Sequence, residues 1–294
     1  MIVYGTKIKS DIDFPLNLSR ETATRYELEL SAKVPDEIKR SITSGFQIYS
    51  THGRNVYFYS DRPFDGSEIG QPWCYEVKDV VRFYWRGGEE IIYYELDEKG
   101  DANLLSFWFI HLLLPLYLTL EEKYDFLHAG AVEVEGKPIL FIAPSMGGKS
   151  TMTDYFIKQG HTLVSDDKVP TFIKDSKFMA VGSFPYHRPY RKFEDLGYHV
   201  DNFTTDFKPI HAFYVLESVD GNAEISFEEI KGFEKFDRLL PNYLFMFSYL
   251  KPKRLKYLSQ MLNTIKVFCV QVPWDMERLG EVHDAICRQS KGIV

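Results

Sequence analysis

The chain has 294 residues, 45% of them hydrophobic and 16% aromatic, enough for one large domain or two modest ones with a real core. A formal charge of −7 offers no basic field to draw in nucleic acid or an anionic membrane surface. Cys74, Cys269 and Cys287 are far apart, show no metal-ligand spacing and read as reduced thiols of a cytoplasmic protein.

Met1-Ile2-Val3-Tyr4-Gly5 leads into alternating charged residues rather than a secretory pattern. Residues up to Gly100 read as β-rich. Tyr26–Leu30 alternates with period two, as a half-buried strand should. Gly45–Ser50 and Asn55–Ser60 form hairpin arms around His52-Gly53-Arg54, whose polar side chains read as solvated turn residues. Pro63, Gly66, Gly70 and Pro72 mark a loop, and Val80–Trp85 with Glu90–Leu96 form a second hairpin around Gly87-Gly88.

Leu104–Leu120 is an apolar stretch of 17 residues, at the lower limit for a membrane span and containing His111 and Pro115. A buried helix interrupted near Pro115 is the expectation. This helix, or an exposed β edge, is also the candidate interface of a homo-oligomer. Val132-Glu133-Val134 and Ile139–Ala143 read as a strand pair turning at Glu135–Pro138. Next comes Ala143-Pro144-Ser145-Met146-Gly147-Gly148-Lys149-Ser150, then a helix-compatible run from Thr151 that Gly160 stops.

Strand, glycine turn, Lys-Ser and helix form the arrangement that holds a nucleoside triphosphate. Turn amides and the helix N-terminus face the phosphates. Lys149 would reach the outer phosphates and the Ser150 hydroxyl would ligate Mg²⁺. Ala143 stands where the usual pattern has its first glycine, which negative φ permits. Ser145, Met146, Gly147, Gly148, Lys149, Ser150 and Thr151 are the candidate ATP contacts.

His161–Ser165 reads as a buried strand ending in Asp166-Asp167. Phosphoryl transfer needs one carboxylate to hold the metal and often another to take the acceptor's proton. Phe184–Lys192 is a basic, aromatic loop whose Arg188 and Arg191 are candidate phosphate or substrate contacts. His211–Leu216, Glu224–Ile230 and Val267–Val272 read as strands. Phe233–Leu240, Tyr243–Leu250, Arg254–Thr264 and Asp275–Arg288 read as helices.

His128-Ala129-Gly130, the strand pair, Gly147–Thr151 and Leu163-Val164-Ser165-Asp166-Asp167 together resemble the HPr kinase/phosphorylase-related family. Its nucleotide-binding core is similar to that of ATP-dependent phosphoenolpyruvate carboxykinase. The resemblance implies an α/β fold, α+β overall: a β-rich N-terminal domain over 1–103, then a P-loop kinase domain over 104–294. It implies Asp166 as catalytic base, His128 working with that first aspartate, Lys149 on phosphate, and Asp167 with Ser150 on magnesium. The implied activity moves the γ-phosphate of ATP to a hydroxyl of a protein serine or small metabolite. An ATP-binding interaction module without transfer is the alternative, and a carboxykinase-like decarboxylase fits poorly because no second metal-ligand cluster is evident.

Overall fold

The computed structural model describes residues 1–18, 23–51, 53–62, 68–189, 192–204 and 206–293. His52, Pro63 and Gly66 lie outside them. The protein has a mixed α/β architecture with several sheets, and its chain divides into two compact units.

The first unit comprises Met1–Lys123, Arg191–Leu196 and Phe247–Leu250. Its strands are β1 (Ile2–Val3), β2 (Thr6–Ser10), β3 (Tyr26–Ser31), β4 (Ser44–Thr51), β5 (Arg54–Ser60), β6 (Pro72–Val77), β7 (Val81–Arg86) and β8 (Ile91–Leu96). A short helix, α1 (Asp36–Ser41), separates β3 from β4. The strands form one sheet in the order β1-β2-β3-β8-β7-β6-β5-β4. Both hairpins expected from alternation are present. Strand β6 went unread because Pro72 opens it and Trp73, Cys74 and Tyr75 are consecutively buried, which erases the period-two signal.

The apolar stretch forms α2 (Ala102–Phe107), a π-helical turn (Trp108–Leu113) and α3 (Leu114–Leu120). Leu114 N–H donates to Phe109 O, one residue wider than an α-helical bond. This widening falls just ahead of Pro115, whose ring has no N–H to continue the ladder. The run is long and apolar enough to cross a membrane, but 83% of its most apolar window is buried within the protein. Phe109 packs on Phe83 and Tyr117 on Trp85, so the run covers the sheet of the first unit. The run falls within the first compact unit, Met1–Lys123.

Arg54 is not a solvated turn residue. Its guanidinium forms a two-pronged ion pair with Glu194, Nε–Oε1 2.9 Å and Nη2–Oε2 3.0 Å, and Trp108 Nε1 donates to the same carboxylate at 2.8 Å.

The second unit comprises Tyr124–Tyr190, Gly197–Met246 and Lys251–Val294. In chain order it has β9 (Asp125–His128), β10 (Gly130–Val134), β11 (Lys137–Ile142), α4 (Lys149–Lys158), β12 (Thr162–Ser165), β13 (Lys168–Lys174) and β14 (Lys177–Val181). Then follow β15 (Tyr186–His187), β16 (Tyr198–His199), β17 (Phe207–Pro209), β18 (Ala212–Val219), β19 (Ser226–Ile230) and α5 (Phe233–Leu239). The unit ends with α6 (Lys251–Thr264), β20 (Lys266–Pro273) and α7 (Leu279–Lys291). A six-stranded sheet runs β12-β10-β11-β18-β20-β19, and a four-stranded sheet runs β17-β14-β13-β9.

Both faces of the six-stranded sheet are covered, which explains the unbroken apolar run of β11. Ile139 and Phe141 face Met152 and Phe156 of α4 and Val282 and Ile286 of α7. Leu140 and Ile142 face the other core, with Leu258, Met261 and Leu262 of α6.

Tyr243–Leu250, expected as helix, is not helical. Tyr243 bridges to Leu127, Leu244 N–H donates to Phe126 O at 2.9 Å, and Phe245 takes φ +55°. Buried Arg254 holds the Leu244 and Phe245 carbonyls, so tertiary partners replace the i→i−4 bonds a helix would make.

Candidate functional site

The candidate site lies in the second unit, where two strand connections pass from one sheet to the other. His128 ends β9 in the four-stranded sheet and Gly130 opens β10 in the six-stranded one. Ser165 ends β12 in the six-stranded sheet and Lys168 opens β13 in the four-stranded one. Ala131 pairs with Ser165 and His128 with Lys168, so His128-Ala129-Gly130 runs beside Asp166-Asp167.

Residues 143–148 link β11 to α4. Ala143 is not among the positive-φ residues, so alanine is unstrained there. Gly148 is the N-cap at φ +83°, a left-handed conformation that glycine adopts without penalty. Met146, at φ +65° and 94% exposed, takes the same region without that freedom. Among the described residues no side chain caps the ten-residue helix that follows, and a helix N-terminus of this kind suits an anion. Ser150 and Thr151 lie half-buried in that first turn, while Ser145 is exposed.

Lys149 is buried, its Nζ 3.5 Å from His128 O. Gly130 explains how α4 can come so close: a Cβ there would fall inside the Thr153 hydroxyl. The glycine loop and the strand crossing are thus joined through Lys149 and the His128–Gly130 backbone.

The two aspartates have different partners. Asp167 Oδ1 lies 3.2 Å from His128 Nδ1, and its Oδ2 lies 3.0 Å from Lys168 Nζ. His128 therefore lies beside the second aspartate, where the resemblance implied the first, because the β9–β13 register sets it opposite Lys168. Burial pushes the Lys168 ammonium below its ordinary range, while Asp167 opposes that shift.

Asp166 Oδ2 accepts from the Arg188 backbone N–H at 2.9 Å. Its Oδ1 is 2.7 Å from Nδ1 of His187, whose other nitrogen is 3.6 Å from Asp154 Oδ1 on α4. His187 is fully buried between these carboxylates. Its nitrogens and Asp166 Oδ1 nonetheless have no aligned hydrogen-bond partner among the described residues, so the close approach is an electrostatic contact rather than a directed bond. Asp154 also accepts from Tyr198 at 2.7 Å and pairs with Lys158.

Arg188 is buried rather than part of a solvated loop, and near enough to Lys168 to help depress its pKa. Arg191 lies outside the described residues. Sequence reasoning missed His187, Lys168 and Asp154. Lys168 directly follows the acidic pair and could have been suspected; His187 and Asp154 join the group only through folding.

Beside the loop, a cavity of about 180 Å³ is lined by Gly147, Gly148, Leu216, Val272, Trp274 and Met276, among others. Trp274 is 63% exposed and stands next to Gly148. Such a pocket accepts a flat apolar group while the neighbouring amides take an anion.

No protein-family model matches the chain, and no curated protein matches it. Among solved structures, the chain is similar to the HPr(Ser) kinase/phosphatase from Coxiella burnetii. The likeness covers 56% of this chain and 95% of that one, at 13% identity and a TM-score of 0.34. A superposition so loose is a distant likeness and establishes no activity.

Proposed function

We propose that the chain is an ATP- and Mg²⁺-dependent phosphotransferase that moves the γ-phosphate to a hydroxyl on a protein serine or a small metabolite. The observation that carries this reading is the connection of the uncapped loop helix, through buried Lys149, to the Asp166-Asp167 crossing. Phosphoryl transfer is mostly positioning and charge neutralisation, and this is the equipment it needs.

In this reading the loop 145–151 binds the phosphates and the apolar cavity takes the base against Trp274. Ser150 and Asp167 are the residues that would hold the metal, with Asp167 oriented by His128 and Lys168. Mg²⁺, when bound, neutralises phosphate charge. Asp166 accepts the acceptor's proton, kept in place by the Arg188 amide and by His187. Arg188, buried and with its backbone N–H on Asp166, is the cation this reading assigns to offset charge on the transferred group.

The test pairs nucleotide binding with transfer from γ-labelled ATP to a lysate or metabolite pool, read by mass spectrometry. Asp166→Asn should lower transfer by about 10²–10⁴-fold while ATP still binds. Lys149→Ala should weaken ATP binding itself. Unchanged turnover in the first variant removes Asp166 from its role. ATP binding with no transfer to any acceptor would instead leave a nucleotide-sensing module.

A further inference from the structure

At the far end of α4, His161 follows the terminating Gly160, and α7 presents His283 and Cys287 one helical turn apart. Their ligand atoms converge: His161 Nε2 and His283 Nε2 are 2.9 Å apart, and Cys287 Sγ lies 3.8 and 3.6 Å from them. All three residues are half-buried.

The partners of the other ring nitrogens determine what those Nε2 atoms can be. His161 Nδ1 is 2.9 Å from the Glu133 carbonyl oxygen, and His283 Nδ1 is 2.8 Å from Asp284 Oδ1. Both oxygens only accept, so both Nδ1 atoms carry the proton in the neutral rings. Two Nε2 lone pairs then face each other beside a thiol sulfur, an arrangement that calls for something positive in between. The same pattern, imidazole Nδ1–H on a carbonyl or carboxylate with Nε2 free, orients histidine toward a metal.

The spacing fits a particular ion. Tetrahedral zinc with Zn–N near 2.05 Å and Zn–S near 2.3 Å separates two nitrogens by about 3.3 Å and a nitrogen from sulfur by about 3.6 Å. The observed distances require the imidazoles to part by a few tenths of an ångström. Mixed imidazole and thiolate ligands select zinc over magnesium or calcium, which prefer oxygen.

We propose that His161, His283 and Cys287 bind one Zn²⁺ ion, with the fourth position taken by water. The ion clips α7 to the end of the α4–β12 turn. The ten residues of α4 set it about 15 Å from the glycine loop, so it is not the magnesium position. The thiol proton leaves to solvent on binding, and no electrons are exchanged.

The full chain, stripped with a chelator, is titrated with Zn²⁺ alone in excess Mg²⁺, and separately with Co²⁺. One equivalent should bind with release of a proton, raise the melting temperature, and give cobalt ligand-field bands with a thiolate-to-cobalt charge-transfer band. Cys287→Ser, nearly isosteric, should abolish the charge-transfer band and weaken Zn²⁺ at least about 100-fold, with the metal-free melting temperature unchanged. Asp284→Asn, a surface change, should weaken Zn²⁺ by about 10–100-fold. A cobalt spectrum without thiolate character, or a melting temperature indifferent to zinc, overturns the proposal and leaves a proton shared between the imidazoles.

Discussion

Gly148 is the residue on which the loop before α4 turns, the loop proposed to take the phosphates. At φ +83°, alanine there costs about 1 kcal/mol in backbone strain and moves the first amides of α4. Gly148→Ala should therefore weaken ATP far more than it lowers the melting temperature, which paired titration and thermal scans would reveal. His187 is the second position of this kind. Both nitrogens of this buried ring face carboxylates, so His187→Ala leaves Asp166 Oδ1 and Asp154 without the ring between them. We expect about 2–4 kcal/mol of destabilisation, the cost of emptying a buried ring site, read from thermal scans.

Glu121 gives a pH prediction with a definite sign. Burial raises its pKa, one oxygen accepts from Gly88 N–H at 2.9 Å, and the other is buried with no hydrogen-bond partner among the described residues. The folded protein keeps this proton to higher pH than the unfolded chain, whose ordinary value is 4.5. Its contribution to stability is therefore greatest below that value and is lost as pH rises through the folded pKa. Glu121→Gln should raise the melting temperature at neutral pH, with the gain vanishing in acid. A gain that persists at low pH would contradict this.

At the scale of elements, α4 comes close upon β10 at Gly130. Gly130→Ala should destabilise by about 1–3 kcal/mol, because the new methyl meets the Thr153 hydroxyl. Thr153→Ala in the same chain removes that hydroxyl and should recover much of the loss. A double-mutant cycle with no coupling would show that the helix simply slides away.

Elements were legible wherever local periodicity matched burial. Alternation gave β3, β7 and β8, and apolar runs between turn residues gave β11, β18 and β20. Segments whose conformation depends on distant partners were not legible. Tyr243–Leu250 carries helix-compatible residues, yet Arg254 and β9 claim its backbone groups. Strands β13 and β14 were also missed, since their pairing with β9 and β17 supplies an order that the chain between Lys168 and Val181 does not display by itself.

At the scale of the whole molecule, the two units are discontinuous in sequence: Arg191–Leu196 and Phe247–Leu250 cluster with the first. Glu194 anchors the first insertion, holding both Arg54 and Trp108. A fragment ending at Lys123 should therefore melt lower than the same unit in the full chain. Glu194→Gln in the full chain should reproduce part of that loss, about 1–3 kcal/mol.

The sequence by itself determined the local chemistry: a glycine turn before Lys149-Ser150, an acidic pair one helix later, and a histidine before the first strand of the pair. Each is a short motif whose meaning rests on neighbours in the chain. Only the tertiary structure decided which histidine meets which aspartate, because strand register across two sheets puts His128 on Asp167 and leaves Asp166 to His187. It also brought His161 to His283 and Cys287 across more than a hundred residues of chain. Pairings of that kind depend on how sheets and helices pack, and no local pattern records them.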